Sequence, residues 1–182
     1  MAKPRLILDN AAIDLIISRF ALQIMEDQAS DEVVAIVGLQ PRGVEFSRRI
    51  FARVKEFFPE NNLLYGELDI TFHRDDVGRG EQILVPKETY LRFSTENIKI
   101  ILVDDVLYTG RSVRAALDAI VNFGRPKQVE LMTLIDRRYN RELPISPDYA
   151  GATVDSRSTG EKVKVDWLDN DNKVWLIEKV KK

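Results

Sequence analysis

The sequence predicts an α/β fold with a central parallel sheet flanked by helices. Val33 to Leu39 is an almost unbroken, short and β-branched apolar run that suits a strand buried on both faces, Ile98 to Val103 reads as a second buried strand, and Val129 to Ile135 as another strand. Around them the apolar residues recur every three or four positions, the mark of helices with one buried stripe. Strand and helix patterns that alternate in this way require right-handed crossovers, which lay helices over a parallel sheet.

Ile13, Ile16, Ile17, Phe20, Ala21, Ile24 and Met25 define the first helix, with Asp9 or Asn10 as its N-cap. The strand Val33 to Leu39 ends at Gln40-Pro41-Arg42-Gly43, a loop that leads into a second helix. That helix turns Phe46, Ile50, Phe51, Val54, Phe57 and Phe58 inward, and Pro59 stops it. Leu63 to Thr71 reads as a strand. The stretch from Phe72 to Arg92 mixes charges with Gly78, Gly80 and Pro86 and shows little period; it is predicted to be a long loop of the kind that forms lids, or a surface β-hairpin, and the two are compatible. After the strand Ile98 to Val103 comes Asp104 to Ser112, then an amphipathic helix through Val113, Ala116, Leu117, Ile120 and Val121, closed by Gly124 and Pro126. The strand Val129 to Ile135 ends in Asp136-Arg137-Arg138. From about Leu143 the alternation is lost. Short strands at Lys162 to Trp167 and Lys173 to Val180, separated by the turn signal Asp169-Asn170-Asp171-Asn172, predict a small appended element.

At 182 residues, with 45% hydrophobic and 31% charged positions, the chain is expected to be a single domain over 1–182 that buries a real core. Its 27 basic and 29 acidic residues give a net charge of -2, which removes any global electrostatic case for nucleic acid or an anionic membrane and leaves room for a local basic patch. The absence of cysteine excludes disulfides, thiolate zinc sites and cysteine nucleophiles. A single histidine, His73, excludes a histidine pair on a metal and leaves one imidazole for any serine triad. No apolar run approaches the roughly 20 residues that span a bilayer, and Asp9 and Asp14 interrupt the apolar core a secretory signal needs. A cytoplasmic protein without membrane association is expected.

In open parallel sheets ligands gather beyond the carboxyl ends of the strands, and Asp104 to Ser112 stands at such an end. Thr109-Gly110-Arg111-Ser112 opens a helix, where backbone N–H groups lack intrahelical partners and the dipole favours an anion. A phosphate suits that corner, with Gly110 allowing close approach and Thr109 and Ser112 adding hydroxyls. Asp104 and Asp105 cannot face a phosphate; they suit sugar hydroxyls or a metal. Without further context, Ser112 or Thr109 also fits a plain N-cap, and the acids fit strand-end solvation. The loop matches neither Gly-x-x-x-x-Gly-Lys-Ser/Thr nor Gly-x-Gly-x-x-Gly, which weakens nucleotide triphosphatase and dinucleotide-dependent dehydrogenase readings.

The run Ile101-Leu102-Val103-Asp104-Asp105-Val106-Leu107-Tyr108-Thr109-Gly110-Arg111-Ser112-Val113-Arg114-Ala115 closely resembles the phosphoribosyl-pyrophosphate signature of type I phosphoribosyltransferases. Gly66-Glu67-Leu68-Asp69-Ile70-Thr71, Arg74-Asp75-Asp76, Gly124-Arg125-Pro126 and Arg141-Glu142-Leu143-Pro144-Ile145 narrow the likeness. Over nearly its whole length the chain resembles the PyrR family, pyrimidine operon regulators that are also uracil phosphoribosyltransferases.

The resemblance implies the type I phosphoribosyltransferase fold, with a flexible loop over 72–92 and a small hood with C-terminal strands over about 143–182. It implies a glycosyltransferase that makes UMP and pyrophosphate from uracil and phosphoribosyl pyrophosphate, with Mg2+ as cofactor. Position by position it implies a ribose site at Asp104 and Asp105, which also stand nearest the metal, without direct ligation. It implies a 5'-phosphate cradle of Val106, Leu107, Tyr108, Thr109, Gly110, Arg111 and Ser112, and a pyrophosphate loop at Arg42 and Gly43. Arg42, Asp104 and Asp105 are the expected catalytic residues, because fixed charges around a breaking C1'–pyrophosphate bond stabilise its carbocation-like transition state. Taken alone, Arg42 and Gly43 also read as a surface arginine and a helix-start glycine.

Purine-using relatives tend to carry an acid where this chain has Tyr108, a poor base at neutral pH, so a pyrimidine acceptor is implied. By the same analogy Asp136, Arg137, Asp148, Tyr149, Ala150 and Gly151 lie nearest the base, while a lone aromatic such as Tyr149 equally fits a packing role. The 72–92 loop is expected to close over the reacting pair, with Gly78 and Gly80 permitting the motion and His73 facing solvent.

The resemblance further implies a homo-oligomer, dimer or higher, and messenger RNA as a partner in response to uridine nucleotides. The alternative function is such an RNA-binding regulator with weak or no catalysis. Arg19, Arg137, Arg138 and Arg141 offer basic groups for it. Leu22, Ser146 and Ala152 stand where RNA-binding relatives carry histidine and basic residues, and Pro41 stands where many have threonine.

Overall fold

The computed structural model describes residues 4–28, 32–75, 86–155, 160–168 and 171–178. Along them run β1 (Arg5–Leu8), α1 (Asn10–Glu26), β2 (Val34–Leu39), α2 (Gly43–Phe57), β3 (Leu64–Leu68), β4 (Lys99–Leu107), α3 (Arg111–Ile120), β5 (Gln128–Asp136), β6 (Tyr149–Thr153), β7 (Glu161–Asp166) and β8 (Lys173–Glu178). Five strands form a parallel sheet in the order β3-β2-β4-β5-β6. This is the α/β architecture the alternation predicts.

The sheet separates two cores. On one face α1 and α2 bury Ile13, Ile17, Phe20, Phe46 and Ile50 against Ile36, Ile101 and Val103. On the other, α3 buries Val113, Ala116 and Ile120 against Val37, Ile100 and Leu102. Phe20 and Phe46 are fully buried with ring centroids 6.2 Å apart; truncating either to alanine would cost about 3–5 kcal/mol. Asp9 caps α1 by accepting from the Ala12 N–H at 2.9 Å.

A second, antiparallel sheet has the order β1-β8-β7. Its Val163, Val174 and Leu176 join the core under α1 and α2, and Trp167 stacks on Phe46 with centroids 5.8 Å apart. The small sheet is therefore fixed beside the start of α2.

Several elements depart from the sequence expectation. β4 runs through Asp104 and Asp105 to Leu107, because its ladder with β5 continues as far as the Leu107–Asp136 pair although the apolar run has ended. β3 stops at Leu68, since the Asp69 carboxylate accepts the Thr71 N–H at 2.9 Å and bends the chain into a short turn at Thr71–His73. Tyr149–Thr153 lies at the edge of the parallel sheet rather than in an appended element, and Arg5–Leu8 completes the small sheet beside β8. Phe57 is exposed, packed on Phe58 and under the Arg53 guanidinium. The hairpin expectation meets one antiparallel bridge, Glu67 with Tyr90. Asp76, Gly78 and Gly80 lie outside the described residues, as do Asp169 and Asn170 of the turn signal.

Candidate active site

β2 ends at Leu39, a cis peptide joins Gln40 to Pro41, and α2 begins at Arg42-Gly43. Gly43 is buried, and a Cβ built on it would fall 2.2 Å from the Val103 carbonyl oxygen and 3.0 Å from Asp104 Cα. Only glycine lets the helix start rest on β4 at this point. The contact brings Arg42 within electrostatic reach of Asp104 and Asp105, whose carboxyls its charge pulls toward ionisation. Arg42, Pro41, Glu45 and Asp105 line a cavity of about 360 Å³, closed on its far side by Lys164 and Trp167 near the small sheet.

The two acids stand where β4 loses its alternation. Val103 packs into the core under α1 and α2 and Leu102 into the core under α3; three residues after Val103, Val106 returns to the first of these and Leu107 enters the second. A regular strand repeats every two residues, so the side-chain pattern slips across Asp104-Asp105. The buried Thr133 hydroxyl accepts the Leu107 N–H at 3.2 Å and takes the place of a ladder bond. Asp104 Oδ1 accepts the Asp105 N–H at 2.9 Å. Burial pushes both carboxyls above the ordinary carboxylate range, Asp104 the further because the Asp105 charge adds to its burial. Asp105 is 6% exposed and lines the cavity.

Beyond the acids, Val106 and Leu107 give their side chains to the cores, and the Leu107 backbone is engaged within the chain, its N–H by Thr133 and its carbonyl by the Arg137 N–H and Arg141. Gly110 adopts φ +93°, a conformation that glycine takes without cost, and begins α3 with no side-chain cap. The Arg111 N–H leans on the Thr109 hydroxyl at 3.4 Å, and Gly110 gives the N–H groups that follow no side-chain cap, so the start of α3 beside Thr109 and Ser112 suits an anion. Arg111 brings its backbone to this corner but turns its guanidinium to Asp75 and Glu142. Tyr108 is 38% exposed, and its ring lies 4.3 Å from the Arg137 guanidinium carbon.

The remaining predicted residues stand at the carboxyl end of β5, where Arg137 meets Tyr108, and in β6. Asp136 is buried and ion-paired with Arg141, which also donates to the carbonyls of Leu107, Tyr108 and Ile145 at 3.2, 2.6 and 2.8 Å. Arg137 is buried, donates to the Glu161 carbonyl at 3.1 Å, and is held below its ordinary pKa by desolvation. Ala150 and Gly151 lie in β6, their carbonyls accepting from Arg19 at 2.9 and 3.2 Å. They do not line the Asp105 cavity. Tyr149 is buried, with its hydroxyl 2.9 Å from Glu130 and 3.0 Å from Asp27; burial raises its pKa, and the two carboxylates raise it further. Arg138 pairs with Asp155. Each of the four arginines considered for a basic face thus has partners within the chain.

Sequence reasoning passed over Thr133, Lys164, Trp167 and the stapling role of Arg141. An isolated threonine in an apolar strand or an arginine after a loop carries no local signal of the partners it finds across the fold. Asp69, one member of the Gly66 to Thr71 motif, joins Thr71 to Lys87 through its carboxylate, accepting the Thr71 hydroxyl at 2.6 Å and the Lys87 N–H at 2.8 Å. No three metal-ligating side chains converge among the described residues, and no helix there is long and apolar enough to cross a membrane.

Residues 6–169 match the phosphoribosyl transferase domain family. The Bifunctional protein PyrR of Acetivibrio thermocellus is 43% identical over 173 residues, covering 94% of this chain and 93% of that protein. The protein of the same name from Caldicellulosiruptor bescii is 41% identical over 181 residues, covering 99% and 98%. Among solved structures, a hypoxanthine phosphoribosyltransferase from Staphylococcus aureus superposes with a TM-score of 0.65 at 19% identity, over 85% of this chain and 80% of that one, a likeness of fold. With its motif, fold and relatives in agreement, this chain belongs to the phosphoribosyltransferase family and, within it, to the PyrR proteins.

Proposed function

We propose that this PyrR protein transfers the 5-phosphoribosyl group of phosphoribosyl pyrophosphate to uracil. The bond from C1' to the pyrophosphate oxygen breaks, a bond from C1' to N1 of uracil forms, the N1 proton is lost to solvent, and UMP and pyrophosphate leave. The observation that carries this reading is the placement of Asp104 and Asp105 between an uncapped helix start at Gly110 and the guanidinium of Arg42. One side suits the 5'-phosphate, the other suits the leaving pyrophosphate, and the acids between them suit the ribose hydroxyls.

The acids also set the electrostatics. As C1' gains positive charge, ionised carboxylates nearby stabilise it more than they stabilise the neutral sugar, which lowers the barrier. Burial opposes that ionisation and Arg42 counters part of the burial, so Arg42 has two effects: it neutralises the departing pyrophosphate and draws the acids toward ionisation. Two hard carboxylates at this point fit an ion that takes its own ligands as water and phosphate oxygens. Asp104 and Asp105 would hold Mg2+ that enters with the substrate, where it supplies neutralisation of the pyrophosphate charge.

Tyr108 supports a pyrimidine over a purine acceptor. Beside the Arg137 guanidinium it offers a ring face and a phenol hydroxyl, not a carboxylate to take a purine proton. UMP formation from uracil, phosphoribosyl pyrophosphate and Mg2+ tests the reaction.

A second reading is the one the family resemblance implies, control of pyrimidine genes by binding messenger RNA, and the relatives are named bifunctional. Because Arg19, Arg137, Arg138 and Arg141 are engaged internally, such binding would draw on other cations. RNA affinity that falls steeply with salt supports this reading, and no specific binding at physiological salt removes it.

A further inference from the structure

The corner proposed for the 5'-phosphate offers neutral donors: N–H groups of the first turn of α3 and the hydroxyls of Thr109 and Ser112. A phosphomonoester carries about -1.5 to -2 charge at neutral pH, which calls for a cation as well. Two arginines of α3 are directed away from it. Arg111 is paired with Asp75 at 2.5 Å and Glu142 at 2.6 Å, and Arg114 with Asp118 at 3.1 Å and Asp75 at 3.6 Å. Arg74 is turned the other way, its Nη1 donating to Ser112 Oγ at 3.1 Å.

The backbone that carries Arg74 is fixed from several sides. Asp69 Oδ1 accepts from the Thr71 N–H at 2.9 Å and the Thr71 hydroxyl at 2.6 Å, and Arg114 donates to the His73 carbonyl at 3.4 Å. Asp75, the next residue, is held by Arg111. The guanidinium therefore stands beside Ser112 before any ligand arrives, which lowers the ordering cost of using it. Accepting a bond from Arg74 also leaves the Ser112 hydroxyl proton available to donate, and a bond accepted from a cation strengthens that donation.

Resting on the 5'-phosphate assignment above, we infer that Arg74 is a further phosphate-binding residue, which supplies from the neck of the long loop the positive charge that the signature run itself lacks. The site takes the phosphate end of the substrate and of UMP, and is indifferent to the base.

The test compares affinities for UMP and uridine, which differ by that phosphate alone, in wild type, Arg74→Gln, Arg74→Lys and Ser112→Ala. Wild type should bind UMP far more tightly than uridine. Arg74→Gln should cut that preference on the order of tenfold to a hundredfold, leave uridine affinity unchanged and raise KM for phosphoribosyl pyrophosphate without raising KM for uracil. Arg74→Lys should recover part of the loss, and it also serves if the glutamine variant fails to fold. An Arg74→Gln protein with the wild-type preference, while Ser112→Ala reduces it, would overturn the role of Arg74 and leave the corner standing. A wild type that binds UMP and uridine alike would remove the corner itself, and Arg74 with it.

Discussion

Gly43 and Val103 touch backbone to backbone: a methyl group on Gly43 would lie 2.2 Å from the Val103 carbonyl oxygen. That carbonyl belongs to β4 and cannot rotate aside, so Gly43→Ala must push the start of α2 off the strand. The expected cost is about 1–3 kcal/mol in urea unfolding, with Arg42 displaced from Asp104 and Asp105 and UMP synthesis reduced by more than about tenfold. A stable Gly43→Ala protein with wild-type turnover would show that the position of Arg42 is unimportant.

Asp104 and Asp105 should make the native state less stable at high pH. Both carboxyls titrate above the ordinary carboxylate range when folded, so the native chain binds their protons more tightly than the unfolded chain. The stability so gained is complete below the unfolded pKa, near 3.8, and is lost as pH rises through the folded values. Asp104→Asn with Asp105→Asn should therefore stabilise the protein by about 1–2 kcal/mol at pH 8, with the gap to wild type closing toward pH 4. Turnover should fall on the order of a hundredfold or more. Thermal melting across that range, alongside UMP synthesis, checks both statements; a gap independent of pH contradicts the first and unchanged turnover the second.

Arg141 joins the carboxyl ends of β4 and β5. Arg141→Ala leaves the buried Asp136 without its partner and frees the Leu107 and Tyr108 carbonyls, at an expected cost of about 3–5 kcal/mol. Arg141→Lys keeps the charge without the fork and should recover only part of it. Urea unfolding of the two variants is the measurement, and a loss below about 1 kcal/mol for alanine would contradict the stapling role.

Tyr149 is tied into the fold through its hydroxyl. Its hydroxyl lies between Glu130 and Asp27, so Tyr149→Phe should cost about 1–2 kcal/mol and leave KM for uracil within about twofold of wild type. A selective rise in that KM would return Tyr149 to the base site.

The strands and helices were legible wherever burial imposes a period, as in Ile13 to Ile24 or Val34 to Leu39. β6 was not, because Tyr149-Ala150-Gly151-Ala152-Thr153 is made of small residues at a sheet edge that needs little apolar surface; β1 was not, because four residues show no period. The site was legible where chemistry is concentrated in one run, from Asp104 to Ser112. It was illegible where it depends on distant partners: nothing local in Asp136 reveals Arg141, and nothing in Arg74 reveals Ser112. Ala150 and Gly151, named by analogy, give their carbonyls to Arg19, a partner that likeness of residue identity does not reveal.

The most direct test incubates the unaltered protein with phosphoribosyl pyrophosphate and Mg2+ and offers uracil, hypoxanthine, guanine and orotate in parallel, measuring each nucleotide formed. UMP from uracil, with no nucleotide from the other three, is the expected result. Product from hypoxanthine or guanine instead would contradict the reading of Tyr108 and keep the phosphate site. No product from any base, in a protein that still binds UMP, would contradict the transferase and leave a nucleotide-sensing regulator.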